Sequence, residues 1–338
     1  MVLGICGYGY SGSGAVMDLI NGYSNVSVAW DGQEFIYVYT PDGILDLEYD
    51  LMICPRRFMS SDISIRRYFD IIQFDGLKIN KLSKSNLRTD FRKRSMRYIE
   101  DITQVKWRGS RPFSFRNKGI AGLLYFKIFG LAEGIVNRHL HKKIHFIPYT
   151  DLFFSYNTEN FEEITKRYIM DLLEMTCENN EIIAINQPFP ADNPIQCFKY
   201  FEDPYAIIVD RDPRDVYITA KYYYPNIANW IPVDTAEHFI RYYSQMRSNE
   251  IEDNRILKIR FEDLIYNYST TVKKIEDFAG TTGFPSKGFD PHISVKNTQL
   301  FRLYDNERKN IEKIESSLSQ WLYPFKEPDV LQRTNEVF

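Results

Sequence analysis

Hydrophobic and polar positions divide this chain into short, mainly apolar runs and longer stripes with a helical repeat. Residues 2–6, 26–30, 144–147, 182–185, 205–209 and 256–259 are the apolar runs. The run 205–209, apolar throughout, predicts a strand buried on both faces, as in a parallel sheet, and the others are read as strands as well. Phe161, Ile164, Tyr168, Leu172 and Met175 recur every three or four residues. That stripe predicts an amphipathic helix whose apolar side belongs to the core. Residues 55–143 read mainly as helices joined by basic loops, an insertion in an α/β frame. Residues 323–338 contain two prolines and no clear period, and are expected to be a docked tail. There are no internal repeats and no low-complexity segments.

Two of the strand ends carry chemistry. The run 205–209 passes through Asp210 and Arg211 straight into a helix start, where Asp212 can cap and Pro213 suits the first turn. Arg211 is thereby fixed at the carboxyl end of a strand, where open α/β sheets bind their ligands. Thr219, two helical turns on, can offer a hydroxyl to the same ligand. A guanidinium, a hydroxyl and a helix start suit a phosphate monoester. At the other end of the chain, the run 2–6 leads into Gly7, Gly9, Gly12 and Gly14, then a helix marked by Val16, Leu19 and Ile20. Glycines allow backbone amides to face an anion, and the helix amino end adds about half a positive charge. Ser11 and Ser13 would complete the cradle. Two such sites about 200 residues apart suggest a ligand with two separated phosphates.

Together these segments resemble the nucleotide motifs of the sulfotransferases that use 3′-phosphoadenosine 5′-phosphosulfate. The resemblance assigns the 5′-phosphosulfate to the turn Gly9, Tyr10, Ser11, Gly12, Ser13, Gly14 and Ala15. It assigns the 3′-phosphate to Arg211 and Thr219, which have the family's eight-residue separation. Residues 256–280 resemble the family's late strand, its Phe-Glu-Asp-Leu turn and the following helix. Residues 292–303, with Lys296 and Asn297, resemble the basic loop that closes over the nucleotide. The implied fold class is α/β, a P-loop-like three-layer fold with a central parallel sheet and a mainly helical insertion at about 55–143, all within one domain spanning 1–338. Residues 40–150 match no part of the family pattern.

One departure concerns the chemistry. The family usually has Lys or Arg immediately before the Ser-Gly pair, against the transferring sulfonyl group, and this chain has Tyr10. Either another cation such as Lys296 takes that role, or catalysis is weak. For the base, Asp31-Gly32-Gln33-Glu34 resembles the Gly-Glu-Glu segment of tyrosylprotein and some glycan sulfotransferases. Glu34 is the better match and Asp31 the reserve, with His292 behind them. The expected strand leading to Glu34 should run beside the first strand. In the cytosolic branch a histidine follows a different strand, and Asn186-Gln187-Pro188 stands there in this chain. Glu262 and Asp263 are expected to be structural, and Arg214 and Asp215 to make local helix-start contacts. Sulfuryl transfer requires no metal.

Gly7-Tyr8-Gly9-Tyr10-Ser11-Gly12 also fits the dinucleotide fingerprint, with Asp31 near the place of an acidic ribose ligand. A Rossmann NAD or FAD oxidoreductase is therefore an alternative, though such a domain has no use for the Arg211 segment. A Walker-type kinase is disfavoured because the motif's lysine is absent.

Composition refines the picture of partners. The net charge is −3, yet residues 78–118 hold 13 Lys or Arg against Asp90, Glu100 and Asp101. Phe91, Tyr98, Trp107, Phe113 and Phe115 are interleaved. This predicts either a solvated face or a surface for an anionic acceptor or a membrane, with nucleic acid disfavoured because the motifs ask for a small donor. The expected acceptor is a saccharide hydroxyl, on an anionic or lipid-linked substrate. No apolar run approaches the roughly 18 residues of a membrane span. The chain opens almost at once on a core strand, and Cys6, Cys54, Cys177 and Cys197 show neither metal-ligand nor disulfide spacing. Cytoplasmic localisation is the expectation.

Overall fold

The computed structural model describes residues 1–57, 59–78, 87–111, 118–140, 143–177, 181–224, 230–283, 285 and 288–326. Seven strands are present among them: β1 (Val2–Gly7), β2 (Val26–Val28), β3 (Val105–Gly109), β4 (Thr150–Phe154), β5 (Ile182–Asn186), β6 (Pro204–Asp210) and β7 (Ile256–Arg260). Five form one sheet in the order β2-β5-β1-β6-β7, with every pairing parallel. The period-2 geometry of a strand sends neighbouring side chains to opposite faces. Val2, Cys6, Ile185, Ala206 and Ile208 accordingly enter one hydrophobic cluster. Leu3, Ile5, Ala184, Ile207 and Val209 enter another. Helices cover both faces, with Ser13–Ile20 and Tyr268–Ala279 over the second cluster and Phe161–Glu174 over the first. The result is a three-layer α/β fold in which the glycine turn leaves the central strand, the P-loop-like arrangement. In Phe161–Glu174 the expected stripe is inside, with Phe161, Tyr168 and Leu172 buried.

The segment between β2 and β5 contains the helices Ser60–Lys78, Leu87–Asp101 and Gly119–Leu140 and the separate antiparallel pair β3-β4. Three expectations need correction here. Residues 144–147 are not a strand. The backbone amides of Phe146 and Ile147 donate to the Glu133 carboxylate, at 3.0 and 3.4 Å, and Ile144 exchanges two bonds with the Asn137 amide. Side chains of a neighbouring helix satisfy these groups, so no ladder is needed. The strand in this region is β4, a few residues later. The second apolar run also stops early, at Val28, because Trp30 and Asp31 turn the chain with φ of 56° and 51°. The indole of Trp30 goes into the core. Finally, the 22-residue helix Gly119–Leu140 is long and apolar enough to cross a membrane, with a mean hydropathy of 1.6 in its best window. Gly, Lys and Glu punctuate it and hide that length from a search for an unbroken run.

Residues of the basic segment 78–118 differ in exposure. Phe91 and Tyr98 are buried core residues, whereas Trp107 is exposed. Arg111 pairs with buried Asp62 at 2.9 Å and Arg94 with Asp171 at 3.7 Å. Residues 79–86 and 112–117, including Phe113 and Phe115, lie outside the described residues, as do residues 327–338 of the expected tail.

Candidate functional site

The turn after β1 is shaped by positive φ at Gly9 (84°), Tyr10 (51°) and Gly12 (87°). Gly9 lies under the Trp230 ring and Gly12 under Phe261: a Cβ on either would come within 2.4 Å of a ring carbon. Gly14, on the first turn of Ser13–Ile20, faces open space instead, with nothing within 4 Å of a Cβ. The Ala15 amide is already bonded to the Gly12 carbonyl at 3.0 Å. The helix start is thus open at Ser13 and Gly14. Ser11 is buried, and its hydroxyl has no hydrogen-bond partner.

Arg211 is fully buried at the end of β6. Its guanidinium donates to the Tyr10 carbonyl at 2.9 Å and to the Asn297 carbonyl. One side chain therefore joins the glycine turn to the loop of Lys296 and Asn297. Segments far apart in sequence, the glycine turn and the end of β6, are thereby brought together. Burial pushes the guanidinium pKa down, opposed by the nearby charges of Asp215, Glu262 and Asp212. Thr219 opens a π-helical turn, Thr219–Tyr223, a distortion common at functional sites. It is fully buried with its hydroxyl unpartnered, and the buried Asn297 side-chain oxygen is unpartnered as well. Buried polar atoms without partners are costly, and a ligand or a water molecule can complete their bonding. Two hydroxyls, a guanidinium and a helix start match the donors a bisphosphorylated nucleotide needs.

The residues around Arg211 tie this corner together. Asp212 caps the next helix through the Arg214 amide at 2.9 Å, holds the Arg214 guanidinium, and accepts from the Tyr323 amide at 2.8 Å. Asp215 was expected to make local helix-start contacts; it accepts instead from the amides of Gln299 and Phe301, at 2.7 and 3.2 Å. Its fixed acceptor geometry is what positions the 295–303 loop. Asp210 pairs with Arg247 and, at 3.3 Å, with Arg260. Glu262 is structural, accepting from the Asp212 amide at 2.7 Å, and burial pushes its carboxyl up to about 8. Burial also raises Asp215, with Arg211 pulling the other way.

Glu34 and Asp31 are both exposed. The chain rejoins the sheet at Glu34, which bridges Asn186, while the Phe35 amide donates to the Asn186 carbonyl at 2.8 Å. The expectation that this segment runs beside β1 is overturned, because β5 lies between them. Asn186 pairs with Ile5, so two strand spacings of about 4.8 Å leave the Glu34 backbone roughly 10 Å from β1. It still lies along the same carboxyl edge. Burial, and after it the nearby Glu34 carboxylate, raises the Tyr39 hydroxyl, a neighbour of this carboxylate that the sequence did not reveal. Gln187 was also missed as a site residue. With φ of 53°, it accepts from the Gly7 amide at 3.2 Å and donates to the Ser13 hydroxyl at 3.1 Å. Its place just after a core strand was the available signal.

Tyr10 stacks on Tyr224 with ring centroids 5.0 Å apart, and on Trp230 at 6.3 Å. Lys296, half-buried beside Asn297, has no ion-pair partner among the described residues. His292 is exposed, its amide held by Asp290.

The strand order bears on the dinucleotide alternative. In a Rossmann unit the second strand pairs with the first, which brings its terminal acid to the ribose. Here β5 separates β2 from β1, and Asp31 is carried away from the turn. That reading is not favoured.

No family model matches this sequence, and no curated protein matches it either. Among solved structures, it is similar to the sulfotransferase domain of the Synechococcus PCC 7002 olefin synthase. That likeness has 13% identity and a TM-score of 0.36, over 94% of this chain and 93% of that one. It is also similar to sulfotransferase STF9 from Mycobacterium avium, at 10% identity and a TM-score of 0.35, over 98% of this chain and 78% of that one. At that identity and overlap neither likeness carries function to this chain.

Proposed function

We propose that this protein is a sulfotransferase that moves the sulfuryl group of 3′-phosphoadenosine 5′-phosphosulfate to a hydroxyl of a saccharide, with no metal required. One observation carries the reading: the buried, unpartnered hydroxyls of Ser11 and Thr219 belong to the two motifs that Arg211 and the 295–303 loop join. Ser11, Ser13 and Gly14 would hold the 5′-phosphosulfate, and Thr219, Arg211 and Asn297 the 3′-phosphate. Glu34, at the same sheet edge, takes the acceptor proton as the hydroxyl oxygen attacks sulfur in line. The sulfur–oxygen bond to the phosphate breaks, and adenosine 3′,5′-bisphosphate leaves. Lys296 supplies the positive charge that Tyr10 lacks. The acceptor is an anionic or lipid-linked saccharide, and the reaction is cytoplasmic.

A second reading, a nucleotide-binding protein with little catalysis, is favoured by the stacked, uncharged Tyr10 in place of the usual cation. Turnover of labelled donor separates the two.

Calorimetry tests the nucleotide assignment. Adenosine 3′,5′-bisphosphate should bind in roughly the low micromolar range with NAD much weaker. Thr219→Val should weaken the bisphosphate about 10- to 100-fold, the loss of a hydrogen bond to a charged group. Thr219→Val is the cleaner probe, because Arg211→Ala also unties the two loops. Equal affinity in both proteins, or a preference for NAD, would sink the assignment.

A further inference from the structure

The helix Gly119–Leu140 turns its apolar residues the wrong way for a core element. Ile120, Leu124, Ile128, Leu131 and Ile135 follow one another at four- or three-residue steps, hence along one side of the helix. Each is between 53 and 78% exposed. The opposite side is occupied: Glu133 and Asn137 hold residues 144–147, and a Cβ placed on Gly130 would meet Ile147 at 3.9 Å. The helix is therefore held to the protein through Glu133 and Asn137 and offers an aliphatic stripe about 22 Å long, from Ile120 to Ile135, to the surroundings.

Charge selects the occupant. Residues 118–143 carry five Lys or Arg against Glu133 alone, which is engaged with backbone amides. Lys127 and Arg138 are exposed on the same side as the stripe, and Lys143 is exposed just beyond the helix. With the preceding segment, residues 78–143 hold 17 basic and four acidic side chains in a chain whose net charge is −3. A second copy seated on this face would bring two such basic regions together, at a repulsive cost. An anionic lipid surface takes up both the aliphatic stripe and the cations, whose long stems let the charges reach the headgroups. Crossing the bilayer would instead drag Glu133, Lys127 and the attached 144–147 segment into hydrocarbon.

We infer that the exposed aliphatic side of Gly119–Leu140, with Lys127 and Arg138 set into it, docks this protein in the plane of an anionic lipid surface. This stands independently of the nucleotide reading, since the helix shares no residue with that site.

The test is flotation of the full chain with phosphatidylcholine vesicles, with and without phosphatidylglycerol. The chain should float with the anionic vesicles only and be released by salt. The triple variant Leu124→Ser, Ile128→Ser, Leu131→Ser should bind about 10-fold less or worse, with its thermal midpoint unchanged because these side chains are exposed. Lys127→Glu with Arg138→Glu should weaken binding as well, without touching the aliphatic stripe. Flotation that is absent, equal with both vesicle types, or unaffected by either variant overturns the inference. A dimer in sedimentation velocity that the triple variant splits also overturns it, and gives the face to a second copy.

Discussion

At the carboxyl edge of the sheet, charge is buried and bonded; on the helix Gly119–Leu140, aliphatic side chains are exposed and bare. Arg211, Asp212, Asp215 and Glu262 are almost wholly removed from water, and each is bonded to backbone amides or carbonyls of a different part of the chain. Ile120, Leu131 and Ile135 have the opposite fate. Both arrangements are costly for an isolated protein, one through desolvated charge and the other through hydrated apolar surface. The comparison teaches that each region has a form that something outside the chain would complete. The sheet edge has unpartnered hydroxyls that suit an anion, and the helix has a stripe and cations that suit a lipid surface.

The largest expected effect lies at the sheet edge. Arg211→Ala removes the counter-charge of buried Asp215 and cuts the tie between the glycine turn and the Asn297 loop. Stability in chemical denaturation should fall by about 3–5 kcal/mol, the range for breaking a buried ion pair. A loss under about 1 kcal/mol would mean that the corner does not depend on this residue, and would erase the contrast with the exposed helix.

Turnover comes next. If Glu34 takes the acceptor proton, Glu34→Gln should lower turnover by about 100-fold or more. Because the carboxylate is exposed, bisphosphate affinity and thermal midpoint should stay where they are. Retained turnover would move the role to Asp31 or His292.

The most gradual effect is a pH dependence. The folded pKa of Glu262 is raised from 4.5 to about 8 by burial. Between those values the folded state holds a proton that the unfolded state has released, so this group makes stability fall as pH rises. The slope is on the order of 1 kcal/mol per pH unit at most for one group. Glu262→Gln should flatten the fall between pH 4.5 and 8 in denaturation curves. An unchanged slope would show that Glu262 is ionised in its pairing with Arg260.

What the sequence carried by itself was local. Apolar runs marked β1, β5 and β6 to within a residue or so, because strands buried on both faces have few polar positions to blur them, and β7 was legible despite Lys258. The glycine turn, the Asp212 cap and the spacing of Arg211 and Thr219 were legible for the same reason: each depends on residues a few positions apart. Tertiary structure decided what depends on neighbours remote in sequence. It put β5 between β2 and β1, which carried Glu34 and Asp31 one strand further from the turn. It let Glu133 and Asn137 satisfy the backbone of 144–147, so an apolar run did not become a strand. It brought Gln187 to the turn and Asp215 to the 295–303 loop, contacts across more than 80 residues that no local pattern encodes. Periodicity shows that a helix has an apolar side; only the packing of every other element decides whether that side faces the core or, as in Gly119–Leu140, the outside.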